Sequence, residues 1–394
     1  MPTAAHPDAG DVPPPARRIL FTGDYDPLYN RTLVITQGLA KLGVEVVHFP
    51  FASKRRRVAR RLAELGRAAD FVFLPCFTHQ QVAFVKAHLP ALPLIFDPLV
   101  SRYMTRVLDY RDVSRYSIRA LHNWLKDKIA LSRADLVVCD TLAHAAYFHD
   151  KYRIDAAKFR LVPVGVNTEQ FRPNAPAQPL RKPGDPLLVG FYGGFIPLQG
   201  AQAIVDAARL LQPHADIAFE LVGTGFEYKG ILRQLERRPL ERMVLPGWVP
   251  QEDLNRHINA YDICLGIFGT GPKADLVVPN KVYHYAACGK PIVTKDSPAI
   301  REVFTDSADI ALVAPRAEAL AAAILALKND PERCLRLGSA ARRLMERDYN
   351  EVRIAERLLA AYRDLRAGLC APLAGLESPR EPGQGPGCGV DRRE

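Results

Sequence analysis

The sequence predicts an α/β fold made of two doubly wound domains, each built on a parallel sheet. Short apolar strands alternate with longer helical segments from Arg18 to about residue 367, which is typical of parallel strands joined by crossover helices. A chain of 394 residues is long enough for two such domains. Five prolines between residues 172 and 186 indicate a linker between them.

These features divide the chain into six segments. Composition predicts disorder at both ends, where Pro, Ala, Gly and charged residues replace the apolar pattern. The predicted segments are a disordered N-terminus (1–16), a first domain (17–171), the linker (172–186), a second domain (187–349), a last helix (350–368) and a disordered tail (369–394).

The first domain opens with a strand, a helix and a second strand, and this βαβ order favours a parallel sheet. The predicted strands are 18–23, 44–51, 70–75, 92–97 and 134–139, with helices at about 33–42, 53–67 and 101–131. Gly23 stands alone after the first strand, so the G-x-G-x-x-G fingerprint of nicotinamide-binding domains is absent there.

The second domain repeats the same alternation after the linker. Its predicted strands are 187–192, 217–222, 243–245, 263–267, 291–294 and 310–313. Its predicted helices are 200–212, 227–237, 251–260, 280–288, 298–304, 316–328 and 331–346. Strand and helix again follow one another closely, which predicts a second parallel sheet.

The overall composition is that of an ordinary soluble protein, with 48% hydrophobic and 24% charged residues. The seven cysteines show neither a disulfide pattern nor the spacing of metal ligands, which is typical of a reduced, cytoplasmic protein. Neither a signal peptide nor an apolar run long enough to span a membrane is recognisable. We therefore expect a cytoplasmic protein.

Much of the net charge of +10 is concentrated in the predicted helix 53–67. This helix contains Lys54–Arg57, Arg60, Arg61 and Arg67. Such a run is either a solvated helix face or a patch that binds anionic lipid or a phosphorylated substrate. Aromatic residues do not alternate with the basic ones, so nucleic acid is not an expected partner.

The stretch from Val278 to Thr294 predicts a helix whose start can hold an anion. Pro279 suits a helix start, Asn280 is a favourable N-cap, and Gly289 ends the helix before the next strand. Free N–H groups and the positive end of the dipole attract phosphate to such a start. By itself, the pattern fits an ordinary helix–strand unit equally well.

Together, four patterns resemble a family 4 glycosyltransferase of the GT-B type. They are Val162–Asn167 with Phe171–Pro173, the Gly-rich turn Phe191–Gly200, the pair Leu221–Gly225 and Pro246–Pro250, and the segment Gly269–Pro291. The second half of the chain resembles the family along about its whole folded length. The first half does so mainly in its strand pattern.

The resemblance implies two Rossmann-like domains whose parallel sheets face a cleft, with the last helix crossing back to the first domain. A nucleotide-sugar donor would bind the second domain, and a glycan or lipid-linked acceptor would bind the first. Transfer would retain the anomeric configuration, without an obligatory metal or other cofactor. Such a protein would belong to cell envelope polysaccharide biosynthesis, and its basic helix would make peripheral contact at the inner membrane.

The expected donor site combines glycine turns, a helix start and lysines, because these groups can surround a diphosphate. The candidate donor-binding residues are Gly193, Gly194, Gln199, Gly223, Gly225, Trp248, Val249, Lys273, Pro279, Asn280, Lys281 and His284. By the resemblance, Trp248 and Val249 lie where the family holds the nucleotide base. We expect the loop 269–280 to close over the donor, bringing Lys273 to the diphosphate and Asp275 near the sugar.

The sequence departs from the family pattern at four positions. Gly194 and Gln199 stand where many members carry an Arg and a Lys that bind the diphosphate. His284 stands where a carboxylate typically holds the ribose hydroxyls, and Leu276, beside Asp275, replaces the carboxylate near the reacting carbon. A neutral imidazole accepts only one hydrogen bond, so ribose binding should be weaker or differently arranged.

These departures leave three interpretations open. We favour an active, divergent enzyme, because the glycine turns and the loop 269–280 remain. A GT-B-type sugar-nucleotide epimerase is one alternative. A nucleotide-sugar-binding subunit that has lost catalysis is the other.

In the first domain, His79 and Asp97 join Asp275 as candidate catalytic residues. Each lies at or just after the end of a predicted strand, where ligands bind in open α/β sheets. Either could act as a base or as a substrate anchor. A surface loop is the simpler interpretation of His79, and Arg31 would meet either a donor phosphate or solvent.

Overall fold

Every strand pairing in the two sheets is parallel, so each connection between strands is a crossover. The computed structural model describes residues 15–53, 55–174, 184–369 and 371–376. Lys54, most of the predicted linker and the outer parts of both predicted disordered ends lie outside these ranges.

The first domain contains a six-stranded sheet within the described residues. Its strands are β1 (Arg18–Gly23), β2 (Glu45–Pro50), β3 (Phe71–Leu74), β4 (Leu94–Phe96), β5 (Leu136–Cys139) and β6 (Phe159–Leu161). Its helices are α1 (Asn30–Lys41), α2 (Arg56–Gly66), α3 (Val82–His88), α4 (Ile118–Arg133) and α5 (Leu142–Tyr152). The strand order is β2-β1-β3-β4-β5-β6.

Helices cover both faces of this sheet because its strands are apolar on both sides. Leu20 belongs to the core that packs against α2, α3, α4 and α5. Its neighbours Ile19 and Phe21 belong to the opposite core, against α1. This alternation along a buried strand is what the side-chain period of two requires.

One helix predicted for the first domain is interrupted in the structure. Residues 101–131 were expected to be helical, but a π-helical segment, Met104–Asp109, is separated from α4 by a turn. Arg111 in that turn has a φ of 55°, which no helix allows, and Ser117 caps α4 by accepting a hydrogen bond from the N–H of Ala120. The short helix α3 was not predicted at all.

The second domain also has six strands in its described part. They are β7 (Leu187–Tyr192), β8 (Ile217–Val222), β9 (Met243–Gly247), β10 (Ile263–Leu265), β11 (Ile292–Lys295) and β12 (Ala311–Val313), in the order β12-β11-β10-β7-β8-β9. Its helices are α6 (Ala201–Leu210), α7 (Tyr228–Arg237), α8 (Gln251–Ala260), α9 (Asn280–Ala287), α10 (Pro298–Arg301), α11 (Ala317–Lys328) and α12 (Pro331–Leu344). The prediction of two parallel-sheet, Rossmann-like α/β domains is confirmed.

The last helix, α13 (Glu351–Arg366), packs against α1 of the first domain. Ile354 and Leu358 join the core that contains Val34 and Leu39. The approach is so close that a Cβ on Gly38 would lie 1.9 Å from the carbonyl oxygen of Glu351. The chain therefore returns from the second domain and closes over the first.

The described start of the predicted disordered tail is packed rather than free. Leu376 is buried in the core of the first domain, and Leu373 packs beside it. Arg160 donates hydrogen bonds to the carbonyls of Leu369 and Ala371. The expectation of disorder from residue 369 was wrong for this short part, because two leucines supply apolar surface that the charge-rich composition obscured.

Candidate active site at the interdomain cleft

Two adjoining recesses lie between the domains, at the carboxyl ends of both sheets. The larger has a volume of about 500 Å³ and is lined by residues from both domains. The smaller, of about 350 Å³, is lined by the second domain and Asn30. They share Tyr192, Gly193, Gly194 and Asn280, so they form one continuous cleft.

The glycines in the turns after β7 and β8 fall into two groups. Gly193, Gly223 and Gly225 have positive φ, and a Cβ on Gly223 would lie 2.0 Å from the carbonyl oxygen of Gly193. These three allow the turn after β7 and the turn after β8 to pack on each other. Gly194 differs, because a Cβ there would meet nothing nearer than 3.7 Å. It leaves open space that faces both recesses.

Lys281 places a buried cation under the turn at Gly193. Its Nζ donates a hydrogen bond of 2.5 Å to Oε1 of Gln199 and lies 3.4 Å from the ring centre of Phe191. Among the ion pairs of the described residues, none involves Lys281. Burial holds the pKa of this ammonium well below its ordinary value.

Lys281 supplies a cation next to Gln199. By the resemblance, Gln199 stands where many family members carry a lysine, and here α9 brings an ammonium to that side chain from elsewhere in the domain. A Cβ on Gly193 would lie 2.8 Å from Nζ of Lys281, so the glycine makes room for the cation. Gln199 and Lys281 both line the larger recess.

The start of α9 also lines the cleft, although its cap differs from the prediction. Pro279 is the N-cap and Asn280 is the first helical residue, with no side chain capping the helix. The predicted N-cap at Asn280 was therefore one residue late. Because no side chain occupies the N–H groups of this end, they remain available to a bound anion.

His284 connects the two domains. Its Nε2–H donates to Oδ1 of Asn30 at 3.0 Å, and its Nδ1 accepts from the hydroxyl of Tyr192 at 2.5 Å. The ring stacks on Phe171 with centroids 3.7 Å apart. Burial lowers the pKa of His284 to about 3, so the imidazole is neutral at physiological pH. Both ring nitrogens are engaged, which leaves little capacity for ribose.

Lys273 also crosses between the domains, from the loop that precedes α9. Its Nζ lies 3.7 Å from Oδ2 of Asp109 and 3.4 Å from Oγ1 of Thr105, both in the π-helical segment of the first domain. The side chain is buried and lines the larger recess. Asp275, two residues on, forms an ion pair of 2.7 Å with Lys295 and lines neither recess.

The smaller recess carries the residues expected near a nucleotide base. Trp248 and Val249 line it together with Gly223. Trp248 is 71% exposed, so its ring is not part of the core and offers a flat apolar surface. Gly225 lies behind the recess, against the backbone of Phe195.

The two candidates of the first domain are not brought to the cleft. Asp97 and Arg31 form a fully buried ion pair of 2.5 Å, and burial raises the pKa of Asp97. His79 is buried rather than at the surface, 3.6 Å from Oδ1 of Asp127, and burial lowers its pKa. None of these side chains lines either recess.

Sequence reasoning missed Asp140, which follows β5 and lines the larger recess. Asp140 does not cap the helix that follows, because Thr141 is the N-cap of α5. Asp140 is 4% exposed, and its Oδ2 has no partner. The signal available was a carboxylate directly after a buried strand, at the sheet edge where ligands bind.

This chain is similar to known proteins in both sequence and structure. Residues 186–330 match the family model described as Glycosyl transferases group 1. Sucrose-phosphate synthase (tll1590) from Thermosynechococcus elongatus superposes with a TM-score of 0.70 and 19% identity, over 89% of this chain and 100% of that one. Anabaena Alr3699/HepE, solved with UDP and glucose, superposes with a TM-score of 0.67 and 17% sequence identity, over 87% of this chain and 98% of that one. The chain has a GT-B fold.

One relative with a curated name has a higher sequence identity to this chain than the two structures do, but it aligns with a smaller part of the chain. The D-inositol 3-phosphate glycosyltransferase of Segniliparus rotundus is 27% identical over 254 residues, which are 62% of this chain and 55% of that protein. The protein described here therefore spans about half the length of this relative.

Two further properties of the GT-B chain concern membranes and metals. No helix in the described ranges has the length and apolar character needed to cross a membrane. In the same ranges, no group of three or more His, Cys, Asp or Glu side chains is arranged to hold a metal ion.

Replacing Lys281 with Met should weaken the binding of a nucleoside diphosphate by about tenfold or more, since a charge-assisted contact contributes about 1.5–3 kcal/mol. Because the pKa of the free ammonium is lowered, a bound anion should draw a proton onto it. Affinity should then rise as the pH falls toward that pKa. Calorimetry in two buffers of different ionisation enthalpy measures this proton uptake, which the variant should lose.

Lys229→Met is the matched control, because Lys229 is an exposed lysine of α7 in the same domain. It removes the same charge without touching the cleft, so binding should stay at the wild-type level. Equal affinities for wild type and Lys281→Met would show that the buried ammonium does not bind the diphosphate.

Proposed function

We propose that this protein is a retaining glycosyltransferase of family 4 that takes its sugar from a nucleotide-diphosphate donor. The observation that carries the proposal is the ammonium of Lys281, which is buried at the cleft without a carboxylate partner in the described residues. A buried charge is costly unless it is paired. A diphosphate in the cleft would supply the missing negative charge.

The proposed donor extends across both recesses. Its base would lie on Trp248 and Val249 in the smaller recess, and its diphosphate over Gly194 and the start of α9. The sugar would then occupy the larger recess, between the domains. Alr3699/HepE has been solved with UDP and glucose, which supports a uridine nucleotide as the first donor to test.

We propose that the charge of the donor is balanced by lysines rather than by a metal. Lys281 and Lys273 both line the larger recess, so two ammonium groups are close to the proposed diphosphate. The pKa of Lys273 is also lowered by burial, and Asp109 opposes that effect. An anion beside Lys273 would favour its charged form in the same way as for Lys281.

The sharpest test of the proposal is a thermal-shift comparison with UDP, GDP and ADP and their glucose conjugates, with uridine as a ligand that lacks the diphosphate. Binding to the folded state should raise the melting temperature through mass action. We expect at least one diphosphate to stabilise the protein and uridine to have little effect. Failure of every nucleotide would contradict the proposal.

Turnover separates the proposal from its alternatives. Transfer with retention would give a product whose anomeric configuration, read by NMR, equals that of the donor. Conversion of the donor sugar without an acceptor would indicate an epimerase. Binding with no turnover would indicate a subunit that has lost catalysis, an alternative favoured by the absence of carboxylates at Leu276 and His284.

Replacing His284 with Glu should raise donor affinity if the ribose lies beside this position. A carboxylate accepts two hydroxyl hydrogen bonds, whereas the imidazole is already engaged on both nitrogens. The amide of Asn30 can turn its unpaired Nδ2 toward the new carboxylate. Titration with UDP and with UDP lacking the ribose hydroxyls measures the change. Equal affinity of wild type and variant for UDP would remove the ribose from this position.

We further propose that the acceptor is a glycan or lipid-linked, and that the first domain docks on an anionic membrane. On α4, Ile118, Leu121, Leu125 and Ile129 form one stripe and are between 39% and 87% exposed. Helices α2, α3 and α4 lie side by side on one face of the sheet. The exposed arginines of α2 are therefore on the same face as the apolar stripe, which is the combination that binds an anionic bilayer surface.

Flotation with vesicles containing anionic lipid tests this surface. Replacing Leu121 and Leu125 with Gln, or Arg55–Arg57 with Ser, should reduce the bound fraction, and the effect of the arginines should weaken at high salt. Leu210→Gln, at an exposed leucine of the second domain, is the control. Unchanged flotation of both variants would exclude the membrane as the partner of this face.

A further inference from the structure

The larger recess contains one carboxylate among the described residues that line it, and that group is Asp140. The side chain follows β5 in the first domain, opposite the lysines of the second. His144 donates from Nδ1–H to Oδ1 of Asp140 at 2.9 Å. The other oxygen, Oδ2, is buried without a hydrogen-bond partner.

An unpaired buried carboxylate oxygen needs a physical explanation. Leaving such an acceptor unsatisfied costs free energy, more so when the group is charged. A carboxylate only accepts hydrogen bonds, so the missing partner must be a donor. Sugar hydroxyl groups are donors of this kind, and Asp140 lines the recess in which the sugar is proposed to lie.

Two contacts between the domains fix Asp140 relative to the opposite wall. The hydroxyl of Thr141 donates to the carbonyl oxygen of Leu276 at 2.5 Å. The N–H groups of Leu142 and Ala143, at the start of α5, donate to the carboxylate of Glu302 at 2.5 and 2.8 Å. The turn that carries Asp140 is thus held against the loop that precedes α9.

His144 orients the carboxylate from the other side. It lies in the first turn of α5, its ring stacks on Phe148, and the residue is 1% exposed. With Oδ1 engaged by the imidazole, Oδ2 is the atom left for a ligand. His144 is therefore a positioning residue, because it reaches the recess only through Asp140.

We propose that Oδ2 of Asp140 accepts a hydrogen bond from a hydroxyl of the transferred sugar, and so helps to select that sugar. This rests on the proposed function, since it requires a nucleotide sugar in the cleft. The carboxylate comes from the first domain, whereas the cations proposed for the diphosphate come from the second. Sugar binding would then depend on the apposition of both domains.

The test compares Asp140→Asn with wild type for binding of UDP and UDP-glucose, or of the GDP or ADP pair if that pair stabilises the protein more. We expect the affinity for the sugar nucleotide to fall about tenfold or more, and the affinity for the bare diphosphate to change less than about twofold. Asp150→Asn, at an exposed position of α5, is the matched control and should bind both ligands as wild type does.

Three results separate this inference from the proposed function. Equal sugar-nucleotide affinity in Asp140→Asn and wild type would overturn the role of Asp140 while leaving the donor site in place. An equal loss for both ligands would also overturn it, because the carboxylate would then act on the nucleotide or on the fold. Failure of wild type to bind any nucleotide would instead remove the proposed function.

Deoxy-sugar nucleotides test the same contact in the unaltered protein, in case Asp140→Asn does not fold. Removal of the hydroxyl that donates to Oδ2 should weaken binding to wild type by about tenfold or more. Removal of the other hydroxyls should have smaller effects. If no single deoxy position weakens binding by more than about twofold, the inference is wrong.

Discussion

The rest of the cleft depends on the burial of one charged group, the ammonium of Lys281. It is buried between Phe191 and Gln199, under the turn at Gly193. The ring face of Phe191 and one amide oxygen offset part of its desolvation. Burial still lowers the pKa of this group, so an anion bound beside it would favour its charged form.

Several contacts between the domains keep this cation facing a cleft rather than solvent. His284 holds Asn30, Lys273 reaches Asp109, and Thr141 holds the carbonyl of Leu276. The helix α13 adds an apolar contact, because it packs on α1 and returns the chain to the first domain. Each of these contacts involves a polar group or surface that would meet water if the domains separated.

Much of the fold was predictable because local patterns agree with it. Apolar strands such as Phe71–Leu74 are buried on both faces, and their sequence identifies them without knowledge of their neighbours. The glycine turn after β7 and the start of α9 were predicted for similar reasons. The break between Met104–Asp109 and α4 was not, because it depends on one left-handed residue, Arg111.

The candidate site was harder to predict because its key pairs are distant in sequence. Lys281 was a predicted donor-binding residue, but Gln199 and Lys281 are 82 positions apart, so the contact between them could not be predicted from the sequence. His79 and Asp97 follow strands as predicted, but tertiary packing buries them away from the cleft. Asp140 has the same sequence context as Asp97, and only the structure shows which of the two carboxylates faces the recess.

A crystal structure of the complex with UDP would test the central claim most directly. The account predicts phosphate oxygens at the N–H of Gly194 and at the start of α9, with Nζ of Lys281 within hydrogen-bonding distance of the β-phosphate. It also predicts the uracil ring against Trp248. Phosphates bound elsewhere, with Lys281 still directed only at Gln199, would contradict it.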